Sequence, residues 1–288
     1  MIKALIKIMR PVQWLKNGIV FAALIFAGEA GHSMKLELAV AATAVFCLLS
    51  SAVYTINDII DRENDRQHPL KRERPLAAGT ISVGAAAAMA VILIVLSFAG
   101  AWAINLNTFL VAAIFLVLNL LYTVWLKNVV ILDVMSIAFS FVLRAFAGAV
   151  AIEVPASKWL LLNTFFLALF LAFGKRRHEI VLLDENATEH RSILGQYSAY
   201  LLDQLISLVT ASVVVMYMLY TFSQEVMQKL GTTNLYLTIP FVVYGVFRYL
   251  YLIHKREMGG SPTRILIDDT PLLINVILWL VAVFLVMY

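Results

Sequence analysis

The sequence predicts an all-α integral membrane protein with nine transmembrane helices. Of its 288 residues, 62% are hydrophobic and 14% are charged, which is more apolar surface than one water-soluble core can bury. Nine apolar stretches reach the length of about 17 to 25 residues that a membrane-spanning helix needs. They cover residues 12–31, 36–57, 82–104, 107–126, 129–152, 158–174, 203–223, 233–253 and 271–288.

The boundaries of these stretches carry recognisable signals. Residues 1–7 lack a continuous apolar core, so they predict an amphipathic helix at the membrane surface and not a removable signal. The first span begins after Pro11, and the second leads directly into a run of acidic residues. The third and fourth spans are separated by the polar pair Asn105 and Asn107. We expect all nine helices to form one domain over residues 1–288.

Positive charge is distributed unevenly among the segments that join the spans. With the N-terminus inside, 17 of the 22 lysines and arginines fall on the cytoplasmic side, three fall outside and two lie within spans. This excess predicts a multi-pass protein of the plasma membrane with a cytoplasmic N-terminus. Because 14 of the 18 acidic residues share that side, any chemistry is expected there.

Several classes of protein are excluded by the residues that the sequence lacks. Cys47 is the single cysteine and lies inside the second span, so we expect it to pack as a small residue. The five histidines have no spacing typical of a metal site, and there is no phosphate-binding loop or nucleophile elbow. The net charge of +4 is not interleaved with aromatic residues, so no nucleic-acid partner is expected.

The end of the second span carries four oxygen-bearing side chains. At about 100° of rotation per residue, Asn57, Asp58, Asp61 and Asp65 fall within an arc of roughly 100° along about 12 Å of helix. Carboxylates on one stripe near a bilayer repel each other unless a cation lies among them. Hard oxygen ligands favour Mg²⁺, which commonly bridges to substrate phosphates. The alternative is a solvated helix end whose acids pair with neighbouring arginines.

Four further polar clusters lie on the same predicted side of the membrane. Their members are Arg66, His68, Lys71 and Arg74 after the acidic run, Gln13, Lys16 and Asn17 at the first span, Tyr122, Lys127 and Asp133 between the fourth and fifth spans, and Lys175, Arg176, Arg177 and Glu179 closing the sixth. Their cations can neutralise a polyanion, and Glu179 can add a metal ligand. Each cluster also fits an ordinary membrane anchor or flank. Together with the acids, they predict a pocket for a metal ion and a diphosphate.

Three motifs of this chain are also found together in a known family. They are Arg10-Pro11-x-Gln13-Trp14-x-Lys16-Asn17, the run from Asn57-Asp58-x-x-Asp61-x-x-x-Asp65 through His68-Pro69 to Arg74-Pro75, and Gly174-Lys175-Arg176-Arg177-x-Glu179. The pattern resembles the UbiA superfamily of intramembrane transferases, and more narrowly its decaprenyl-phosphate phosphoribosyltransferase branch. Aromatic prenyltransferases of that superfamily carry a second Asp-x-x-x-Asp motif where this chain reads Lys-Arg-Arg-His-Glu.

The resemblance implies a Mg²⁺-dependent enzyme that transfers 5-phosphoribose from 5-phosphoribosyl diphosphate to a polyprenyl (decaprenyl) phosphate and releases diphosphate. In that branch the product feeds lipid-linked pentose synthesis for cell-wall polysaccharide. Asp58, Asp61 and Asp65 are implied to be catalytic and, with Asn57 and Glu179, to hold the metal. The residues implied to bind substrates are Gln13, Lys16, Asn17, Asn57, Arg66, His68, Lys71, Arg74, Tyr122, Lys127, Lys175, Arg176 and Arg177.

Two polar loops, residues 184–200 and 255–271, are expected to cap the UbiA-like bundle on the cytoplasmic side. Gly259 and Gly260 would let the second loop move and exclude water from the site. Arg144 lies within the fifth span, where a charge is costly, so we expect a structural role with Glu153 or backbone carbonyls as its partner.

Two other functions fit part of the pattern. An intramembrane aromatic prenyltransferase shares the first acidic motif but uses a polyprenyl diphosphate as donor, and the missing second acidic motif argues against it. A transporter or a non-catalytic membrane protein is also helical and basic on one side. Transporters place functional charges near the bilayer midplane, whereas the charges here crowd at one surface.

Overall fold

All regular secondary structure is helical in the computed structural model, which describes residues 2–67, 71–183, 192–256, 260 and 262–287. In chain order, the α-helices of these residues are α1 (Ile2–Met9), α2 (Phe21–Phe26), α3 (Ser33–Ile60), α4 (Arg62–Gln67), α5 (Val83–Ile104), α6 (Leu106–Val124), α7 (Leu132–Ala151), α8 (Lys158–Leu183), α9 (Ala199–Thr221), α10 (Gln224–Leu230), α11 (Ile239–Lys255), α12 (Pro262–Asp268) and α13 (Thr270–Met287). Short 3-10 helices precede or join several of them.

Eight helices of the described chain are long and apolar enough to cross a membrane, and each matches a predicted span. They are α3, α5, α6, α7, α8, α9, α11 and α13. The span that contains α11 also includes the 3-10 turn Asn234–Thr238, which precedes that helix. The largest difference in length is at α8, which continues past the predicted end at residue 174 to Leu183. The predicted span ended where hydropathy falls at Lys175. Because Lys, Arg and Glu are good helix formers, the helix continues beyond its apolar part.

The first predicted span, residues 12–31, does not form one α-helix. Pro11–Val20 is a 3-10 helix of 10 residues, and it continues into α2 of 6 residues. A 3-10 helix repeats every three residues, so Trp14, Asn17 and Val20 lie on one face. That face contacts α3 through all three residues.

The 3-10 segment runs antiparallel to α3 along much of its length. Four contacts connect them, and as the residue number rises in one it falls in the other. They join Arg10 to Asp58, Trp14 Nε1 to Ser51 Oγ (3.0 Å), Asn17 Nδ2 to Cys47 Sγ (3.3 Å), and Val20 to Ala42 by packing. At about 2.0 Å per 3-10 residue and 1.5 Å per α-helical residue, the segment and α2 together extend roughly 29 Å. That length is close to the ~30 Å hydrocarbon core of a bilayer.

Contacts divide the chain into two compact units. Unit 1 comprises residues 1–25, 29–136 and 143–156, and unit 2 comprises residues 26–28, 137–142 and 157–288. The single domain over residues 1–288 that the sequence predicts stays a prediction.

In unit 1, α3 packs against α5 and α6. Phe46 meets Phe115 edge to face at 5.2 Å between ring centroids, and both rings are fully buried. Asn105 ends α5 and begins α6, because its side-chain oxygen accepts a hydrogen bond from the backbone N–H of Thr108 at 2.8 Å. Its amide also donates to the carbonyl of Val150 at 2.9 Å. The predicted break between the third and fourth spans is therefore confirmed.

Helix α1 is attached to unit 1 by one fully buried residue. Ile8 packs with Leu76, Ile81 and Ala86. The apolar face of α1 therefore packs against the rest of unit 1, while Lys3 and Lys7 are exposed. This contact fixes the position from which the chain enters the 3-10 segment.

In unit 2, α9, α11 and α13 share a core rich in aromatic residues. Tyr217 Oη is 2.7 Å from Thr238 Oγ1 and accepts a hydrogen bond from Trp279 Nε1 at 3.0 Å. Of the two expected cap loops, 192–196 is a 3-10 turn and 262–268 is helical, while 184–191, 257–259 and 261 lie outside the described residues. The capping role of these loops stays a prediction.

Asp269, just before α13, is an acidic residue whose titration should affect stability. Arg248 donates two hydrogen bonds to it, at 3.1 and 2.8 Å, and these hold the pKa of the Asp269 carboxyl below its usual range. The N–H of Leu272 also donates to it at 2.9 Å and lowers the pKa further. A depressed pKa contributes stability that is present above the unfolded value, about 3.9, and is lost as pH falls through the folded pKa.

We therefore expect Asp269→Asn to lower the melting temperature of the purified protein at neutral pH and to flatten its dependence on acid. The difference in melting temperature between wild type and variant should shrink as the pH is lowered from 7 to below 4. Asp268→Asn is the matched control, because Asp268 is the adjacent acid and is exposed. A constant difference across that range would contradict the pairing with Arg248.

Candidate active site

The C-terminal end of α3 carries a buried carboxylate held by two arginines. Asp58 is 2% exposed and accepts hydrogen bonds from Arg10 and from Arg74 Nη1, the latter at 3.1 Å. The same nitrogen of Arg74 is 2.6 Å from Asp65 Oδ2. One guanidinium therefore joins two of the three predicted catalytic aspartates, Asp58 on α3 and Asp65 on α4. The predicted stripe assumed one continuous helix over residues 57–65, and the structure interrupts that helix at Asp61.

Asp61 lies at the junction between α3 and α4. Its backbone leaves helical geometry there, and its N–H still donates to the carbonyl of Asn57 at 2.9 Å. The Asp61 carboxylate accepts hydrogen bonds from Lys127 Nζ at 2.6 Å and from Asn57 Nδ2 at 3.0 Å. Lys127 comes from the connection between α6 and α7, so a cation far away in sequence neutralises the third aspartate.

An open cavity of about 250 Å³ lies beside Asp58. Its lining residues are Lys7, Arg10, Asp58, Glu73, Arg74 and Pro75. Lys7 donates to the backbone carbonyl of Glu73 at 3.3 Å, which brings α1 to the rim. Three cations and two acids thus surround a space several times the ~30 Å³ that one water molecule occupies.

Arg10 was absent from the site residues predicted from the sequence. It has φ +53°, in the left-handed region, where a residue other than glycine costs about 1–3 kcal/mol. This turn separates α1 from the 3-10 segment and directs the guanidinium to Asp58 and to the face of Tyr54, 5.2 Å from the ring centroid. The Arg-Pro pair marks the position in the sequence, but the left-handed turn cannot be deduced from it.

The donor atoms of this cluster fit Mg²⁺. Asp58, Asp61, Asp65 and the Asn57 amide offer hard oxygens, the ligand type that Mg²⁺ prefers. In the part of the chain that the structure describes, no three acidic, histidine or cysteine side chains are already gathered around one point. The three aspartates instead contact arginine or lysine, so a metal ion would have to displace these cations from them.

Asn17 lies away from the acidic cluster, within the interior of unit 1. It is fully buried, and its side-chain oxygen accepts a hydrogen bond from Arg144 Nε at 2.8 Å. Arg144 also lies over the Phe115 ring at 4.7 Å from the centroid, with Ser50 Oγ at 3.5 Å. Asn17, Ser50 and the Phe115 ring are partners of Arg144 that the sequence did not indicate, since the expectation was Glu153 or backbone carbonyls. The substrate role of Asn17 stays a prediction, and the structural role of Arg144 agrees with these contacts.

The other predicted substrate-binding residues of unit 1 are only partly gathered at the cluster. Arg66 contacts the Glu63 carboxylate at 3.1 Å and the carbonyl of Ala77 at 3.2 Å. His68 lies outside the described residues. Four of the predicted substrate-binding residues are half-buried: Gln13, Lys16, Lys71 and Tyr122. Asp133, which the sequence grouped with Tyr122 and Lys127, is fully buried at the start of α7.

Unit 2 holds a second charged cluster at the Lys175-Arg176-Arg177-x-Glu179 motif of α8. Arg176 is 2% exposed and pairs with Glu179 at 2.5 Å, so the predicted metal ligand accepts from an arginine here. Lys175 lies 3.5 Å from the same carboxylate and is more exposed. Their predicted contacts with donor and metal stay predictions.

Sequence reasoning missed a three-residue group in the same cluster. Asp203 accepts hydrogen bonds from Arg177 and from His254 Nε2, the latter at 3.2 Å. These three residues come from α8, α9 and α11. Because they are far apart in the chain and lack a motif of their own, no sequence signal joins them.

Two comparisons with known proteins show the family. The model of the UbiA prenyltransferase family matches residues 18–264. Decaprenyl-phosphate phosphoribosyltransferase of Mycobacterium tuberculosis (strain H37Rv) is 34% identical over 287 residues, which cover 98% of this chain and 94% of that protein. The protein of the same name from Corynebacterium glutamicum is 34% identical over 289 residues, which cover 99% of this chain and 86% of that protein.

A solved structure has the same fold. The structure of a UbiA homolog from Archaeoglobus fulgidus, bound to GPP and Mg²⁺, superimposes with a TM-score of 0.74 at 23% identity, and the alignment covers 99% of each chain. The similarity extends over the whole helical bundle, and the family match includes most of both units. This chain is therefore a multi-pass membrane protein that belongs to the UbiA prenyltransferase family.

Proposed function

We propose that this UbiA-family transferase moves 5-phosphoribose from 5-phosphoribosyl diphosphate to a polyprenyl phosphate such as decaprenyl phosphate. The observation that carries the proposal is the network Arg10–Asp58–Arg74–Asp65 with Lys127–Asp61, which holds paired acids and cations at one helix end. The names of relatives that are 34% identical over nearly the whole chain supply the substrate class.

The network supports this chemistry because its charges can exchange partners. The aspartates would bind Mg²⁺, and the cations that leave them would bind phosphate oxygens. Arg74 and Lys127 lie 2.6 Å from their carboxylates, and the proposal requires each long side chain to adopt another staggered rotamer when substrate binds. The buried site therefore keeps its charges compensated both with and without substrate.

The reaction that we propose breaks the bond between C1 of the ribose and the diphosphate oxygen, and the electron pair leaves with the diphosphate. An oxygen of the lipid phosphate forms the new bond to C1. Mg²⁺ bound by Asp58, Asp61, Asp65 and Asn57 would make the diphosphate a better leaving group. Arg74 and Lys127 would stabilise the charge that develops on it. The lipid phosphate is already an anion, so this chain needs no general base.

A donor with an additional phosphate is favoured over an allylic diphosphate by the α8 motif. Where aromatic prenyltransferases carry a second acidic motif, this chain has Lys175, Arg176 and Arg177. Cations at this position suit a more highly phosphorylated donor. Lipid chain length and stereochemistry are properties of the apolar helix faces, where no single residue marks them.

An assay with radiolabelled donors tests the proposal directly. Purified protein with Mg²⁺, labelled 5-phosphoribosyl diphosphate and decaprenyl phosphate should produce a labelled lipid, and EDTA should stop its formation. In a parallel reaction, a polyprenyl diphosphate and 4-hydroxybenzoate should give no prenylated product. Labelled product in the second reaction alone would establish the aromatic prenyltransferase instead, and none in either would indicate a transporter or a non-catalytic protein.

We further propose that the 3-10 segment and α2 make a ninth crossing, which places the N-terminus and the acidic cluster in the cytoplasm. The antiparallel contacts with α3 and the ~29 Å length support a crossing, because a 3-10 helix satisfies most of its own backbone hydrogen bonds in lipid. Charge asymmetry supports the orientation. Reporter fusions at the two termini should then report opposite sides of the membrane. Reporters on one side would reduce the count to eight.

A further inference from the structure

The cavity beside Asp58 has more cations than its acidic residues can neutralise once a substrate is present. Its lining contains Lys7, Arg10 and Arg74 against Asp58 and Glu73. Arg10 and Arg74 both contact Asp58, and Lys7 donates to a neutral carbonyl oxygen of Glu73. When Asp58 is engaged by a metal ion, both guanidinium groups lose a carboxylate partner. Three positive charges then face the cavity with Glu73 as its remaining free acid.

The cavity is lined by residues from several segments of unit 1. Asp58, near the end of α3, belongs to the row of aspartates that suits a metal-bound diphosphate, whereas Lys7 is exposed on α1 and donates to the carbonyl of Glu73. The helix α1 is fixed by Ile8, and the left-handed backbone of Arg10 directs its guanidinium inward from the end of that helix. Lys7 and Arg10 are therefore presented to the same space from one docked helix.

We propose that Lys7, Arg10 and Arg74 form a binding site for a phosphate monoester, which adjoins the site of the diphosphate and shares Arg74 with it. A phosphate monoester carries a charge of about −1.5 to −2 and three strong acceptor oxygens, which matches three convergent cations. The cavity of about 250 Å³ accommodates such a group with part of its hydration. Neither Lys7 nor Arg10 is among the binding residues that the sequence predicts.

The assignment of this phosphate to a substrate rests on the proposed function. Two groups of the proposed reaction have the required chemistry, the 5-phosphate of the donor and the phosphate of the acceptor lipid. Both are monoesters, and the site would bind either by the same contacts. Ribose 5-phosphate and farnesyl phosphate represent the two groups separately, so binding of these compounds distinguishes the sources.

The test measures binding of both compounds to the full-length purified protein, with Mg²⁺ and diphosphate present to occupy the aspartates. We expect Lys7→Gln to raise the dissociation constant of one compound by about 10-fold, the loss of one charge-assisted contact, and to leave the other unchanged. Lys7→Arg should retain binding because it keeps the charge. Lys3→Gln is the matched control, since Lys3 is an exposed lysine one turn earlier in α1, outside the cavity lining.

The outcome identifies the source or rejects the site. If Lys7→Gln weakens the binding of ribose 5-phosphate, the site holds the 5-phosphate of the donor. If it weakens the binding of farnesyl phosphate, the site holds the phosphate of the acceptor lipid. Binding of neither compound to wild type, or an equal effect of Lys3→Gln and Lys7→Gln, would overturn the monoester site. If Lys7-dependent binding is found but no labelled lipid is formed from 5-phosphoribosyl diphosphate, the proposed function fails and the monoester site stands.

Discussion

Asp58→Asn should reduce the rate of Mg²⁺-dependent transfer by on the order of 10³-fold. The substitution keeps the size of the side chain but removes the negative charge that Arg10 and Arg74 contact and that a metal ion would need. Initial rates with labelled 5-phosphoribosyl diphosphate at saturating Mg²⁺ measure the effect. We expect the variant and the wild type to accumulate in the membrane in similar amounts. A melting curve of the purified variant would verify that it is folded.

Glu63→Gln is the matched control for this experiment. It makes the same change from acid to amide a short distance along the chain, but Glu63 is 71% exposed and contacts Arg62 and Arg66 at the surface. Exposed pairs contribute about 0–1 kcal/mol, so activity should stay close to that of wild type. Equal losses in both variants, or full activity of Asp58→Asn, would remove the assignment of Asp58 to the metal.

Gly148→Ala should be the most destabilising conservative substitution in the core of unit 1. A Cβ atom at this position would lie 2.0 Å from the backbone oxygen of Val20, and backbone cannot move aside as a flexible side chain can. Small residues on α7 let the 3-10 segment approach its surface, and overpacking of such a contact costs about 1–3 kcal/mol or more. We expect a clear fall in melting temperature, measured in detergent.

Gly84→Ala tests whether the effect is steric. Gly84 lies near the start of α5, and a Cβ there meets nothing within 4 Å. Alanine favours helix, so this variant should be as stable as wild type or more stable by up to about 1 kcal/mol. If Gly148→Ala melts at the wild-type temperature, the close approach of Val20 to α7 is wrong.

The long helices were predictable because length and hydropathy determine them locally. The break at Asn105 depends on a single residue with a known local effect, so the sequence located it. The 3-10 segment was not predictable, because its geometry follows from contacts of Trp14 and Asn17 with α3, which come from a distant part of the sequence. Hydropathy alone indicates an apolar stretch there and not its helix type.

The candidate site was predictable on its acidic side and less so on its basic side. Asn57, Asp58, Asp61 and Asp65 lie close together in sequence, so helical spacing was enough to place them at one helix end. The single continuous stripe was wrong, because the helix is interrupted at Asp61 and Asp65 lies on α4. The partners come from elsewhere, and the choice of Arg10 over Lys16 for Asp58 depends on a left-handed turn that the side chain does not encode. Arg177 illustrates the same limit, because its partner Asp203 comes from α9 and no motif of the sequence joins the two.

The sharing of Arg74 between Asp58 and Asp65 has a consequence for how ligands bind. A divalent ion that binds alone must displace the Arg74 guanidinium from the aspartates, and the guanidinium then has no anion to pair with. A diphosphate that binds alone must compete with the two carboxylates for the same guanidinium. If the proposed function holds, each ligand removes the obstacle that the other meets, so we expect their binding to be heterotropically linked, each raising the affinity of the other by the same factor. We then expect the Mg²⁺–diphosphate complex to saturate the site at concentrations at which neither component does so separately.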